Sequence, residues 1–274
     1  MERKILEMKI GLVGAGQMAQ ALARGWVQAG CVPGQQLVIY DPAEASLNAF
    51  KESIPDARIA AGNRQVVAES EVFILAVKPQ VMQVVLNDLQ GCVTGDKLAV
   101  SIAAGVPLEQ LCTGLGTQRV IRVMPNTPCL VGIGASAYAL ADGANAEDGK
   151  LVGSLLDAVG TSACVQEQWL DAITGLSGSG PAFVYTIIEA LSDGGVLMGL
   201  PRELSTAFAV QTVRGAAEMV AETKEHPAVL RDRVASPGGT TIAGLKVLES
   251  HAVPAACIAA VQAATDRSRV LAKQ

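Results

Sequence analysis

Positions 14–19 read GAGQMA, directly after a short apolar run and at the start of a helical pattern. Glycines there permit a tight turn. The amides that open the helix would then present N–H groups, and the positive end of a dipole, to a pyrophosphate. The chemistry indicated is dinucleotide binding, with NADH or NADPH as cofactor, although the same pattern also fits an ordinary strand-to-helix turn. Asp41 closes the next apolar run, 25 residues beyond Gly16. An acid at that point can read a ribose hydroxyl and repel a 2′-phosphate. It equally suits the N-cap of a helix opening at Pro42, with Glu44 three positions on, and the sequence leaves both roles open.

Two further loops follow apolar runs, AVKPQ (76–80) and SIAAGVP (101–107). An open α/β sheet binds ligands at that edge. Ala103, Ala104 and Gly105 are small enough to admit a flat ring against the backbone, and Lys78 is either an anion contact or a solvated loop lysine. Later in the chain SPGGTT (236–241) precedes the apolar stretch TIAGLKVLE. Its glycines and hydroxyls at a helix start offer more donors than a cap needs, and they suit a small carboxylate. GLSGSGPA (175–182) does not satisfy G-x-S-x-G, and GANAEDGKL (143–151) lacks P-loop spacing. His226 and His251 stand apart from any carboxylate pair, which points to surface or capping roles, and no metal site is expected.

These residues need a scaffold. The runs KIGLV (9–13), LVIY (37–40), VFILAV (72–77), KLAVSIA (97–103) and RVIRVM (119–124) alternate with helical stretches, the pattern of a parallel sheet with crossover helices. Gly30 and Gly160 fall where helices should stop, and Asn145 with Asp148 forms an N-terminal signature. From Trp169 helical periodicity takes over. The expected fold is an α/β Rossmann-type domain over 1–168, binding the dinucleotide, followed by an all-α domain over 169–274 for substrate binding and dimerisation. With 274 residues, both have room for a core. Charged residues are 17% and apolar residues 50%, so part of the surface should be hidden by self-association. A net charge of −5 with no basic tract excludes a nucleic-acid reader. The longest uncharged stretch, Val123 to Ala141, contains Pro125, Asn126 and Pro128, so no membrane partner is expected. The opening MERKILE has too few apolar residues for a secretory core, which indicates a cytoplasmic protein. The six scattered cysteines read as small buried hydrophobes rather than as a disulfide or zinc framework.

Taken in order and at these intervals, GAGQMA, AVKPQ, SIAAG, RVMPNTP, TGLSGSGPAFVY and SPGGTTIAGL resemble the pyrroline-5-carboxylate reductase family from Met8 onward. The resemblance implies reduction of 1-pyrroline-5-carboxylate to L-proline by NAD(P)H, the last step of proline biosynthesis. Carried over by position, it puts Gly14, Gln17, Met18 and Ala19 under the pyrophosphate and Asn63 on the adenine-ribose side. Ala76, Val77, Lys78 and Pro79 would line the cofactor groove, and Ala103, Ala104 and Gly105 would sit by the nicotinamide. Ser236, Pro237, Gly238, Gly239, Thr240 and Thr241 would hold the substrate carboxylate and ring nitrogen. Because no obvious His, Lys or Tyr acid stands near that loop, Thr241 is the expected catalytic group, bonded to the ring nitrogen. The family's helical domain forms an interlocked dimer, and dimers commonly assemble into decamers. One departure bears on the cofactor: the second strand ends IYDP, where relatives using NADPH often carry Ser or Arg. The β-hydroxyacid dehydrogenases share the two-domain layout, but the position of their catalytic lysine is Val184 here.

Overall fold

A computed structural model describes residues 8–272, so MERKILE lies outside the described residues. The chain divides into two compact units: one runs to Ser179 and takes back the chain from Ala263, and the other is Gly180–Gln262.

The first unit is built on an eight-stranded sheet of order β3-β2-β1-β4-β5-β6-β7-β8. Its strands are β1 (Ile10–Val13), β2 (Leu37–Tyr40), β3 (Arg58–Ile59), β4 (Val72–Leu75), β5 (Leu98–Ser101), β6 (Val120–Met124), β7 (Gly134–Leu140) and β8 (Gly160–Cys164). All neighbours are parallel except β6 and β7. The five expected strands are present, LVIY with the expected bounds and the other four shorter. β3, β7 and β8 escaped the reading because β3 has two residues and β7 and β8 are built of Gly, Ala, Ser, Thr and Cys with one Tyr and one Leu, too small to register as an apolar run.

Continuous apolar strands are buried on both faces because their side chains alternate between two cores. Ile10, Leu12, Ile74 and Val100 point to one core with Leu22 and Trp26 of α1 (Gln17–Gln28) and Leu155 of α6 (Ala146–Asp157). Val13, Phe73, Leu75 and Ala99 point to the other, with Val66 of α3 (Asn63–Glu69), Leu86 of α4 (Pro79–Leu89) and Leu111 of α5 (Leu108–Leu115). The Trp26 indole donates to the Leu155 carbonyl at 2.8 Å, which satisfies the polar atom that this side chain brings into the core.

Two local expectations are corrected. The helix after β2, α2 (Glu44–Ser53), has Ala43 rather than Asp41 at its N-cap. Gly160 does not stop a helix. It opens β8, where a Cβ would lie 2.1 Å from the Gly134 carbonyl, so it is the close pairing with β7 that demands glycine. Gly30, with φ of 70°, does follow α1, and Asn145 caps α6 reciprocally with Asp148.

The break between the two compact units follows Ser179. The helical stretch that follows Gln168, α7 (Leu170–Ile173), buries Leu170 in the core of the first unit, with Ile173 packed beside it, so the chain is already helical before it leaves. The second unit holds α8 (Gly180–Leu197), α9 (Arg202–Thr223), α10 (Pro227–Arg233) and α11 (Thr240–Ser250). The last helix, α12 (Val253–Leu271), starts there and ends in the first unit. Among the described residues no single helix is long and apolar enough to cross a membrane.

Candidate active site

The strand order reverses at β1, so the crevice outside the carboxyl ends of β1 and β4 is the switch point where such sheets take ligands. Gly14 leaves β1 there with φ of 101°. A Cβ on it would approach the Ala76 carbonyl oxygen to 2.8 Å and Val77 Cγ1 to 3.1 Å, so only glycine lets the two loops meet. The Gly14 amide donates to the Tyr40 carbonyl and the Ala76 amide to the Val13 carbonyl, both at 2.8 Å. Beyond this knot Gly16 has open space where its Cβ would be. The first bond of α1 is Gln20 N–H to the Gly16 carbonyl, so the amides of Gln17, Met18 and Ala19 have no partner within the helix. No acid stands in its first turn. Bare donors, an unopposed dipole and a Cβ-sized opening fit a dinucleotide pyrophosphate. Gln17 is exposed and Met18 half-buried, whereas Ala19 is buried and offers only its backbone.

Asp41 is not the N-cap of α2. Its Oδ2 accepts from the Ala15 amide at 2.8 Å and its Oδ1 from the Ala43 amide at 2.9 Å, so the carboxylate ties the glycine loop to the turn before α2. Asn63 opens α3, and its side-chain amide donates to Asp88 of α4 at 3.0 Å. Lys78 is exposed at the N-cap of α4, with Pro79 as the first helical residue. The loop after β5 turns at Gly105, φ 72°, while the Ala103 amide donates to Ser101 Oγ at 3.3 Å. Ala103 is buried and Ala104 half-buried. The structure thus gathers Gly14, Asp41, Ala76 and Val77 at one crevice, and Ala103–Gly105 leave the strand next to β4.

The SPGGTT segment lies in the second unit and is a built turn. Gly238 has φ of 67°, and Gly239 is the N-cap of α11, where a Cβ would strike Ser236 Oγ at 2.3 Å. Thr240 and Thr241 occupy the first turn of α11 rather than preceding it. Ser236, Pro237, Gly238 and Thr240 are exposed and Thr241 half-exposed. A groove of about 420 Å³ runs along α11 past Gly238, Gly239, Ile242 and Lys246, on a face that omits Thr241. His226 caps α10 by accepting from the Ala228 amide at 3.2 Å, as its position suggested.

Charges and thiols outside these loops serve the fold. Arg119 grips Asp148 at 2.7 Å and holds its carboxyl below the usual carboxylate range. Of the cysteines, Cys31, Cys112 and Cys129 are buried as expected, Cys92 is partly exposed, and Cys164 and Cys257 are exposed. Burial pushes the Cys112 and Cys129 thiols up, which makes them poor nucleophiles.

Asn126 lies within RVMPNTP. It is buried, donates to the Ser177 carbonyl at 3.0 Å and accepts from the Ala135 amide at 2.9 Å. It thereby holds a π-helical turn, Thr174–Gly178, against the β6–β7 connection. The signal was an amide flanked by prolines in an apolar setting, which must find partners if enclosed. The π turn had no signal, because the glycines of GLSGSG permit many conformations.

The chain matches the family model described as pyrroline-5-carboxylate reductase dimerisation over residues 167–271. A second model, described as NADP oxidoreductase coenzyme F420-dependent, matches residues 9–105. The chain is similar to a pyrroline-5-carboxylate reductase of Arabidopsis thaliana, 46% identical over 265 residues that cover 97% of this chain and 96% of the relative. It is similar to one of Methanosarcina acetivorans at 45% over 268 residues, covering 97% and 98%. Among solved structures, the Plasmodium falciparum pyrroline carboxylate reductase with NADP bound superposes with a TM-score of 0.90 at 34% identity, covering 98% of this chain and all of that one.

Proposed function

The chain belongs to the pyrroline-5-carboxylate reductase family, and on that premise we propose which of its residues carry the reaction and how. It is an NAD(P)H-dependent oxidoreductase that reduces the C=N bond of 1-pyrroline-5-carboxylate, giving L-proline in proline biosynthesis. The observation that carries the residue assignment is the SPGGTT turn, where Gly238 has the left-handed φ of 67° that favours glycine and a Cβ on Gly239 would meet Ser236 Oγ at 2.3 Å.

The amides of Gln17, Met18 and Ala19, freed by the turn at Gly14 and Gly16, hold the pyrophosphate. Asn63 and Asp41 take the adenine-ribose side, Ala76, Val77, Lys78 and Pro79 line the groove, and Ala103, Ala104 and Gly105 receive the nicotinamide. When bound, the reduced nicotinamide supplies a hydride. The chain's task is then orientation. Ser236, Pro237, Gly238, Gly239 and Thr240, at the positive end of the α11 dipole, fix the substrate carboxylate. The Thr241 hydroxyl bonds the ring nitrogen and keeps a proton there as the double bond becomes single, so charge is neutralised where it develops. The functional division remains near Gln168, supported by the dimerisation model beginning at residue 167.

Asp41 brings a fixed negative charge to the end of β2, which favours NADH over NADPH. Adding the imine to enzyme with each reduced cofactor in parallel, and following loss of nicotinamide absorbance, tests both points. Turnover is expected with either cofactor and faster with NADH. Turnover of a 3-hydroxy acid with none of the imine would overturn the substrate assignment, and a clear NADPH preference would remove Asp41 from cofactor selection.

A dimerisation region is present. We further read the assembly as dimers joined into a decamer, since so little of the second unit is enclosed. Light scattering reads this directly, and a stable dimer would sink the decamer. All six cysteines are free, which accords with a reducing cytoplasm. Cell fractionation that finds the enzyme in another compartment would refute that reading.

A further inference from the structure

Arg122 is a charged residue in the middle of an apolar strand, VIRVM, and it is only 5% exposed. Its guanidinium donates to Glu167 Oε1 at 2.9 Å and lies 3.9 Å from Asp171 Oδ1. Each carboxylate makes a second bond. Glu167 Oε1 also accepts from the Leu108 amide at 2.7 Å, at the first residue of α5. Asp171 Oδ1 also accepts from the Ser268 hydroxyl at 2.7 Å, near the end of α12. One cation therefore holds the segment by which the chain leaves the first unit and the segment by which it returns. All members belong to that unit.

The cluster frames one loop. The segment from Ala103 to Pro107 is pinned at its far end by the Leu108–Glu167 bond. At its apex Gly105 meets the end of α12: a Cβ there would lie 3.4 Å from Leu271 Cβ and 3.6 Å from the Ala272 amide nitrogen. That end of α12 is what Ser268 anchors. Burying a guanidinium is costly, and apolar residues of similar volume would generally fill such a place at no loss of stability. Stability alone does not account for the cluster; fixing the height of the loop does.

We propose that Arg122, Glu167, Asp171 and Ser268 form a positioning clasp that sets the Ala103–Gly105 loop against the end of α12, and so governs affinity for the nicotinamide end of the cofactor. This rests on the assignment of that loop to the nicotinamide.

The test compares two probes on the intact enzyme: the preferred reduced dinucleotide, followed by its fluorescence, and the matching ADP-ribose fragment, which lacks the nicotinamide, followed by calorimetry. Ser268→Ala should raise Kd for the dinucleotide by about tenfold and leave the fragment within about twofold. Ser268→Thr, which keeps the hydroxyl, should restore binding. Arg122→Lys keeps the charge but cannot fork towards two carboxylates, and should repeat the Ser268→Ala pattern. Equal weakening of both probes, or a fall in Tm without a change in either Kd, would overturn the clasp. Ala104→Leu tests the loop assignment by itself. If it weakens the dinucleotide selectively and the clasp variants do not, the clasp fails alone; if it changes neither probe, the loop assignment fails and takes the clasp with it.

Discussion

The two compact units use their apolar residues in opposite ways. In the first, Ile10, Leu12, Trp26, Phe50 and Phe73 are enclosed almost completely, and helices cover both faces of the sheet. In the second, Ala209 is the one apolar residue buried among the described residues, while Met198 is 82% exposed, Ile258 70% and Phe208 66%. The pair α8 and α9 encloses Ser192 and Ser205 instead, joined by a 2.6 Å bond from the Ser205 hydroxyl to the Ser192 carbonyl. The second unit lies within the region matched by the pyrroline-5-carboxylate reductase dimerisation model, and it leaves exposed the kind of apolar surface that obligate dimers bury. The comparison separates a unit that encloses its own core from one that leaves most of its apolar residues exposed.

The harshest way to break that contrast is to charge the exposed faces of the second unit. Phe208→Asp combined with Ile258→Asp should abolish assembly, at about 4 kcal/mol or more per dimer, while the first unit keeps its cooperative melt. Light scattering with calorimetry would read both, and an intact oligomer would show that these faces meet no partner. Next in size, Thr241→Ala should lower kcat/KM about a hundredfold with assembly and Tm unchanged, and Thr241→Ser should recover most of it. An unchanged rate would remove Thr241 from the reaction.

Asp148→Asn acts on the self-contained unit. It strips Arg119 of its partner and weakens the cap of α6, at about 2–3 kcal/mol. Because the folded-state pKa of Asp148 is depressed, its contribution is present above the unfolded value near ~3.9 and lost as pH falls through the folded value. The first unit of the wild type should therefore lose stability in acid more steeply than that of Asp148→Asn, as read by urea melts across pH. Parallel slopes would remove Asp148 as the acid-sensitive group. Gly14→Ala should cost somewhat less than Asp148→Asn, about 2 kcal/mol, because φ of 101° and the Ala76 carbonyl both oppose a Cβ. Its sharper mark is weakened binding of dinucleotide and ADP-ribose alike. A variant that bound both normally would detach the glycine turn from the cofactor.

Legibility followed the strength of local signals. A strand such as LVIY, buried along its length, was recoverable with its bounds intact. Strands such as Gly160–Cys164 were invisible, since their pairing is non-local and their side chains are small. The glycine loops and SPGGTT stood out because turns with left-handed residues need glycine, a constraint written in residue type. Asp41 was legible as a residue of the turn after β2, but its bond to Ala15 was not, because that partner is brought to it only by the pairing of β1 with β2.

The sequence by itself determined the alternation of buried strands and helices, the glycine turns and the order of the motifs, because each is encoded within a few residues of itself. The tertiary structure decided what Asp41, Asn126 and Arg122 do. Their partners lie 26, 51 and 45 residues away along the chain, and a buried polar group takes its role from whatever the fold brings within hydrogen-bonding distance.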